Sequence, residues 1–243
     1  MKNIKKIALY AACLMLAVTG RFTAGHAQLI VEQGVHIVVK DNPKIVLHNM
    51  RLQHDGSTAP GESEFIVRGD GTMPQSALAG SNSILMYDLQ VDHTNGTQLE
   101  NNIQLENQIR FVQGQLNLNN QMIDLGISGF VMGENELYRI TGITGGEISR
   151  FVLLNAPTNE NPGTLGFMLN GGGNFGNVTI KRGHKPFANV LRAQPGINRY
   201  YDVTTSNNGG NTTVRFHYFD AENTAFYPEA DLTILRSTDG GTT

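Results

Sequence analysis

From Leu29 onward, apolar residues recur at every second position in short bursts: Val35, Ile37 and Val39, then Ile45 and Leu47, then Phe65 and Val67. Leu89 and Val91, Ile103 and Leu105, Ile109 and Phe111, and Leu116 and Leu118 continue the pattern. A period of two marks strands with one face buried, because successive side chains point to opposite sides of a pleated backbone. Asp55-Gly56, Gly69-Asp70-Gly71, Asn95-Gly96 and Asn119-Asn120 punctuate the bursts with residues that favour turns. No segment carries apolar residues at the i, i+3, i+4 spacing of an amphipathic helix. The chain is therefore expected to be all-β.

The bursts also repeat. Ile45, Phe65, Leu85, Leu105 and Leu125 are separated by intervals of 20, and the same shift carries Leu89 onto Ile109, Val91 onto Phe111 and Ile103 onto Ile123. A repeat of about 20 residues is the length of one coil of a β-solenoid, in which equivalent inward residues stack along the axis. This favours a right-handed β-helix-like solenoid over an ordinary β-sandwich. The abundant Asn and Gln fit the same architecture, since amides can stack in ladders at strand ends.

Composition narrows the function classes. Only 16% of residues are charged, and the chain carries 28 Gly and no Trp. Asn, Thr and Gln replace the charge, which argues against long exposed helices. Nothing builds a basic field, so a nucleic-acid partner is not expected.

The first 27 residues read as a secretory signal peptide. Lys2, Lys5 and Lys6 precede the apolar run of twelve residues from Ile7 to Val18, and Gly25-His26-Ala27 supplies small residues for cleavage between Ala27 and Gln28. Twelve apolar residues are too few to span a hydrocarbon core of about 30 Å. A lipoprotein signal ending at Cys13 is the alternative, disfavoured by Tyr10 and by the short apolar stretch before it. Removing the leader takes four of the 18 basic residues and leaves 14 minus 21, or −7. It also removes the single cysteine, so the exported chain would fold without disulfides. No second apolar segment suggests a membrane span.

Residues 28–185 are expected to form the repeat domain, with a turn-rich end marked by Gly145-Gly146, Asn161-Pro162-Gly163 and Gly171-Gly172-Gly173. A boundary is placed at Lys185-Pro186. Residues 186–243 then carry three expected strands, at 197–203, 213–218 and 232–235, a small β-sandwich-like module that ends mid-turn. We expect the sequence to be part of a longer protein.

Gly196-Ile-Asn-Arg-Tyr-Tyr-Asp-Val203, Phe216-His-Tyr-Phe-Asp-Ala-Glu222 and Leu235-Arg-Ser-Thr-Asp-Gly-Gly-Thr242 resemble three segments of a module found in large secreted proteins of Bacteroidetes. Gly163-Thr-Leu-Gly166 and 176–184 (GNVTIKRGH) resemble the stretch that precedes that module, and 113–125 (QGQLNLNNQMIDL) is similar to its rungs. The resemblance is specific only over about 163–243. It implies a β-helix-like shaft followed by a β-sandwich in a secreted or cell-surface protein of the type IX cargo type, truncated before a C-terminal sorting domain. It supplies no catalytic residues.

Asp88 and Asp92 lie at i and i+4 of one strand, on one face and about 13 Å apart by strand rise. With Asp124 and Arg110 they are the candidates for a carbohydrate-active or carbohydrate-binding site, which in an inverting glycosidase needs carboxyls roughly 6.5–9.5 Å apart. Solvated strand-end acids are the favoured reading. No paired-Asp motif, Gly-His-Gly or Arg-x-Lys cluster occurs in the solenoid region; Gly183-His184-Lys185 is the nearest approach to one, and it lies at the domain junction. His36, His48, His54 and His93 lack metal-binding spacing, and no cofactor is expected beyond structural calcium on turn carboxylates such as Asp70 or Asp239. Arg68-Gly69-Asp70 is an RGD tripeptide whose small residues suit a turn, and Asn95, Asn177 and Asn211 begin sequons. In the last module, alternation puts Tyr201, Phe216 and Tyr218 in the core and leaves Tyr200 and Phe219 outside, where edge-strand packing is the favoured reading and a sugar-stacking platform the alternative.

The expectation is an exported, non-enzymatic structural or adhesin-like surface protein, with surface glycans or other cell-surface components as partners. The alternatives are a carbohydrate-binding or carbohydrate-active β-helix, and a spacer for a missing catalytic domain.

Overall fold

The structure is a computed structural model. It describes residues 27–72, 74–185, 196–224, 228–234 and 236–237, together with the backbone of 6–8. The expected leader otherwise lies outside these residues. Lys6–Ala8 pairs in parallel with His36–Val38, and Ala27 opens the strand Ala27–Val31.

The chain winds as a β-solenoid of six rungs. Its larger sheet stacks Lys44–His48, Glu64–Gly69, Ile84–His93, Ile103–Gln113, Met122–Asp124 and Glu147–Asn155, each parallel to the next. Phe130–Met132 pairs with the far part of Ile103–Gln113. The second sheet stacks Ala27–Val31, Met50–His54, Ser76–Ala79, Thr97–Leu99, Leu116–Asn117 and Ile140–Thr141, also in parallel. Among the described residues, the helical pieces are three short 3-10 turns, and no helix is long and apolar enough to cross a membrane.

The alternating residues build the core between the two sheets. Phe65, Leu89 and Ile109 stack in register, as do Val67, Val91 and Phe111, while Leu52 and Leu78 pair on the opposite sheet. All are buried. Parallel stacking sets like on like, so each rung covers the apolar surface of the one before.

The repeat is real but not uniform. Ile45 pairs with Phe65, Leu89 with Ile109 and Ile103 with Ile123, as the shift of 20 requires. Phe65, however, pairs with Leu89, and Leu105 with Met86, so Leu85 stands one position off the buried column. The longer connection after Gly69 absorbs four extra residues between those rungs. Register shifts after Leu105 and Phe111 then place Glu106-Asn107 and Val112 in bulges.

Asparagine has a different role from the expected amide stack. Asn49, Asn119 and Asn120 take positive φ at corners. The side-chain amide of Asn82 donates to the carbonyls of Asp55 and Gly56, Asn101 to that of Asn82, and Asn119 to that of Leu99. The amides thus bind the backbone of the preceding rung.

The parallel coil ends at Glu147–Asn155, not at residue 185. Asn174–Gly183 returns antiparallel to it, and Tyr200–Thr205 extends the same sheet antiparallel once more. Phe167–Asn170 and Thr213–Phe216 form a separate two-stranded sheet. The separate sandwich expected for 186–243 is not what the described residues form, because the first of its strands completes the solenoid sheet and the second pairs with a segment before the boundary. Residues 232–234 are not a strand, while the boundary at Pro186 and residue Leu235 lie outside the described residues.

Ile109 is fully buried and Val112 is an exposed bulge residue on the same strand. Ile109→Ala is expected to cost about 2–5 kcal/mol of unfolding free energy, and Val112→Ala less than about 0.5 kcal/mol. Urea denaturation of the two variants checks this.

Candidate functional site

The outer face of the larger sheet carries the acidic candidates. Asp88 and Asp92 both project from Ile84–His93, and Arg110 lies on the neighbouring rung, paired in register with Gln90 between them. Each already has a hydrogen-bond partner. Asp92 accepts from Arg68 Nε at 2.9 Å, and Asp88 accepts from the Asn107 amide at 2.8 Å. Arg110 donates to Glu64 at 2.8 Å and to the Gln90 carbonyl oxygen, while Lys44 reaches the other Glu64 oxygen at 2.9 Å. Burial by itself would raise the Glu64 pKa, but these hydrogen bonds and charges outweigh it and hold the carboxyl below its usual range. Asp124 is not part of the group: its register partner Gln104 pairs with Leu85, and its carboxylate binds the Gly126 amide at 2.9 Å and the Ser149 hydroxyl at 3.4 Å. The structure therefore gathers Asp88, Asp92 and Arg110 on one face and sets Asp124 apart at the end of the strand Met122–Asp124.

Arg68-Gly69-Asp70 ends its strand at a shallow groove of about 300 Å³ that also includes His48, Thr94 and Gln113. Asp70 Oδ1 accepts from the Thr72 amide at 3.0 Å, from the Thr72 hydroxyl and from Asn49, which lowers its pKa to about 2. Gly69 faces the buried ring of His93 across the ladder, where a Cβ would stand 2.2 Å from the imidazole. Each member of the tripeptide has a local role: an ion pair, room for a ring, and a turn cap.

The densest cluster of buried charge lies where the last rung meets the C-terminal segment. Arg182, only 1% exposed, forms a bidentate pair with Glu134 through Nη1 at 2.9 Å and Nη2 at 2.8 Å. Its Nε–H donates to His184 Nε2 at 3.1 Å, which puts the imidazole proton on Nδ1, 3.7 Å from Glu222 Oε1. Arg199 donates to the same Glu222 oxygen at 2.8 Å and to the His217 carbonyl at 2.8 Å. The Glu222 Oε2 atom accepts the Phe219 amide, and Glu136 accepts the Asp220 and Ala221 amides. Two arginines and two glutamates cancel, with a neutral histidine between them. Burial lowers the His184 pKa to about 4, despite Glu222, and the neighbouring Arg182 and Arg199 push the same way. Burial would raise Glu222, but His184 and Arg199 bring it to about 2. The imidazole resembles an acid-oriented base, yet its Nε2 is occupied by Arg182. The arrangement clamps Arg199, Phe219 and Glu222 to the solenoid end.

Beside this clamp opens a cleft of about 550 Å³, lined by Asn135, Glu136, Asn161, Met168, His217 and Phe219 and walled by Glu134, Arg182 and Arg199. Phe219 does not face outward as alternation suggests. It sits at the start of the turn Asp220–Glu222, where the backbone rotates its ring under Arg199, 5.1 Å from the guanidinium, and leaves it 9% exposed. Tyr200 is half-buried, its hydroxyl donating to Glu147 at 2.8 Å and its ring lying over Gly183, where a Cβ would meet it at 2.1 Å. The two do not form a stacking platform. Tyr201 does pack against the core, with its hydroxyl on the Leu165 carbonyl at 2.9 Å, whereas Phe216 touches Phe167 and Tyr201 but stays partly exposed. Of the cluster, the sequence exposed only His184 at a junction; the spacing of Arg182 and His184 on one strand face was a usable signal, but Glu134, Arg199 and Glu222 are brought there by folding alone.

Among the described residues, no group of three or more His, Cys, Asp or Glu is placed to hold a metal ion. Asp239 lies outside them. The Asn95 sequon ends in Thr97, which is fully buried, while Asn177 and Asn211 are exposed.

Arg182→Met leaves Glu134 buried without its partner and is expected to cost about 3–5 kcal/mol, much of it recovered in Arg182→Met/Glu134→Gln. Denaturant titration of both variants reads this. His184 takes a proton near pH 6.5 when unfolded but only near pH 4 when folded, so its contribution is complete above pH 6.5 and is lost as the pH falls towards 4. The loss amounts to about 3 kcal/mol. His54 and His93, also lowered by burial, act in the same direction. The difference between the parent and His184→Gln across pH 7.5 to 4 therefore isolates the clamp, and equal pH profiles would count against it.

No protein-family model, curated protein or solved structure matches this chain, so its site stands on its own geometry.

Proposed function

We propose that the chain is an exported, non-enzymatic structural or adhesin-like module of the cell surface, with the solenoid as a stiff shaft. The observation that carries this reading is the six-rung parallel ladder of the larger sheet. Six strands at the usual spacing span about 24 Å along the axis. Every inner rung is bonded to two neighbours, so bending the shaft strains many backbone hydrogen bonds together. The Arg182–Glu134 and Arg199–Glu222 pairs join the C-terminal segment to the shaft end, which suits a spacer that must hold its tip in a set orientation.

The neutral outer face supports the same reading. Lys44, Glu64 and Arg110, and Arg68 with Asp92, are paired with one another, which limits non-specific attraction to charged surfaces. The export step rests on the basic start, the apolar run and the small residues before Gln28.

Expression of the full chain in a diderm bacterium tests the proposal. The expected outcome is a product beginning at Gln28 that is recovered outside the inner membrane and degraded by protease added to intact cells. A product that keeps Met1 and stays protected in the cytosol would overturn it.

A further inference from the structure

The clamp leaves an adjoining cleft with polar walls. Glu134 is paired with Arg182 and Arg199 with Glu222, which leaves Glu136 as the one carboxylate of the lining without a cationic partner among the described residues. Both Glu134 oxygens are held by Arg182, one of them also by the Ile140 amide. Arg199 is committed to Glu222 and to the His217 carbonyl. An anion entering the cleft would find both arginines already paired and would have to break a buried pair, while Glu136, held by two backbone amides, is left to accept from a donor.

Groups suited to hydroxyls remain. Asn161 spends its carbonyl oxygen on the Gly166 amide at 3.0 Å, while its amide hydrogens have no partner among the described residues. His217 packs edge-on against Phe219 at 5.2 Å, and neither ring nitrogen is hydrogen-bonded among the described residues. Glu136 has lone pairs left beside the two amides it accepts. Met168, on the strand Phe167–Asn170, gives the cleft a half-buried apolar wall. A volume of about 550 Å³ falls within the range of small-molecule sites.

We infer that this cleft is a binding site for a neutral, hydroxyl-rich ligand, a mono- or disaccharide without ionised groups. Sugar hydroxyls both donate and accept, so one face of the ligand pairs with Asn161, His217 and Glu136 while its C–H face lies on Met168. The site is distinct from Asp88, Asp92 and Arg110, which lie on the outer sheet face. It rests on the cleft alone and holds whether or not the chain is exported.

Isothermal titration of the full chain against a panel of neutral disaccharides (cellobiose, maltose, xylobiose, chitobiose and N-acetyllactosamine) tests it, with digalacturonate as the charged arm. At least one neutral disaccharide should bind saturably below about 10 mM. Met168→Trp, which fills the cleft, should abolish that binding, and His217→Ala should weaken it about tenfold. Asp92→Asn, away from the cleft, should leave the affinity unchanged. Thermal melts close to that of the parent show that the variants are folded. The inference fails if no neutral disaccharide binds, if digalacturonate binds best, or if folded Met168→Trp and His217→Ala bind as the parent does.

Discussion

The rest of this molecule depends on the stacking of one coil on the next through parallel backbone hydrogen bonds and a shared apolar column. Neither interaction suffices alone. A single rung cannot bury Leu89 or Ile109, and an apolar column without the ladder would leave backbone polar groups unpaired in the interior. The pairing of Phe65 with Leu89 and of Leu89 with Ile109 satisfies both demands at once. Variation in rung length is then pushed to the corners and into bulges, where extra residues cost little burial.

A ladder of this kind must also end. At its C-terminal side the chain turns antiparallel through Asn174–Gly183 and Tyr200–Thr205, so that the sheet continues beyond the last coil. The segment that follows is held by Val214 and Phe216 on the core side and by paired charge at the clamp. Arg182, Glu134, Arg199 and Glu222 are all nearly dry, and each is satisfied by a partner of opposite sign. Such a group is costly to break and adds little over a well-packed apolar junction. What it adds is directional, because guanidinium and carboxylate forks accept few relative orientations. The cleft beside it therefore presents arginines that are already committed.

On the outside, charge is handled differently. Lys44, Glu64 and Arg110, and Arg68 with Asp92, sit partly exposed and compensate one another across rungs. Exposed pairs of this kind contribute little to stability, but they leave a long face with no strong field. A surface built this way meets partners through shape and hydrogen bonding rather than through bulk attraction.

The sequence by itself determined the all-β class, the solenoid and the approximate repeat, because alternation and turn residues are local and recur with each coil. Ile45 with Phe65, Leu89 with Ile109 and Ile103 with Ile123 were legible for that reason. Leu85 was misplaced because a single spacing cannot register four residues added at one corner. Asp88, Asp92 and Arg110 were placed near one another by strand geometry, yet their partners Asn107, Arg68 and Glu64 come from other strands or from a bulge. Phe219 could not be placed by alternation once the strand had ended and a turn had begun. Only the tertiary structure decided that Tyr200–Thr205 of the last expected module joins the solenoid sheet, and that Glu134, Arg182, His184, Arg199 and Glu222 meet in one dry cluster. Residues up to 88 positions apart (134 to 222) carry no local signal of each other; what brings them together is the closure of the sheet, and their opposite charges become decisive only once water has been excluded.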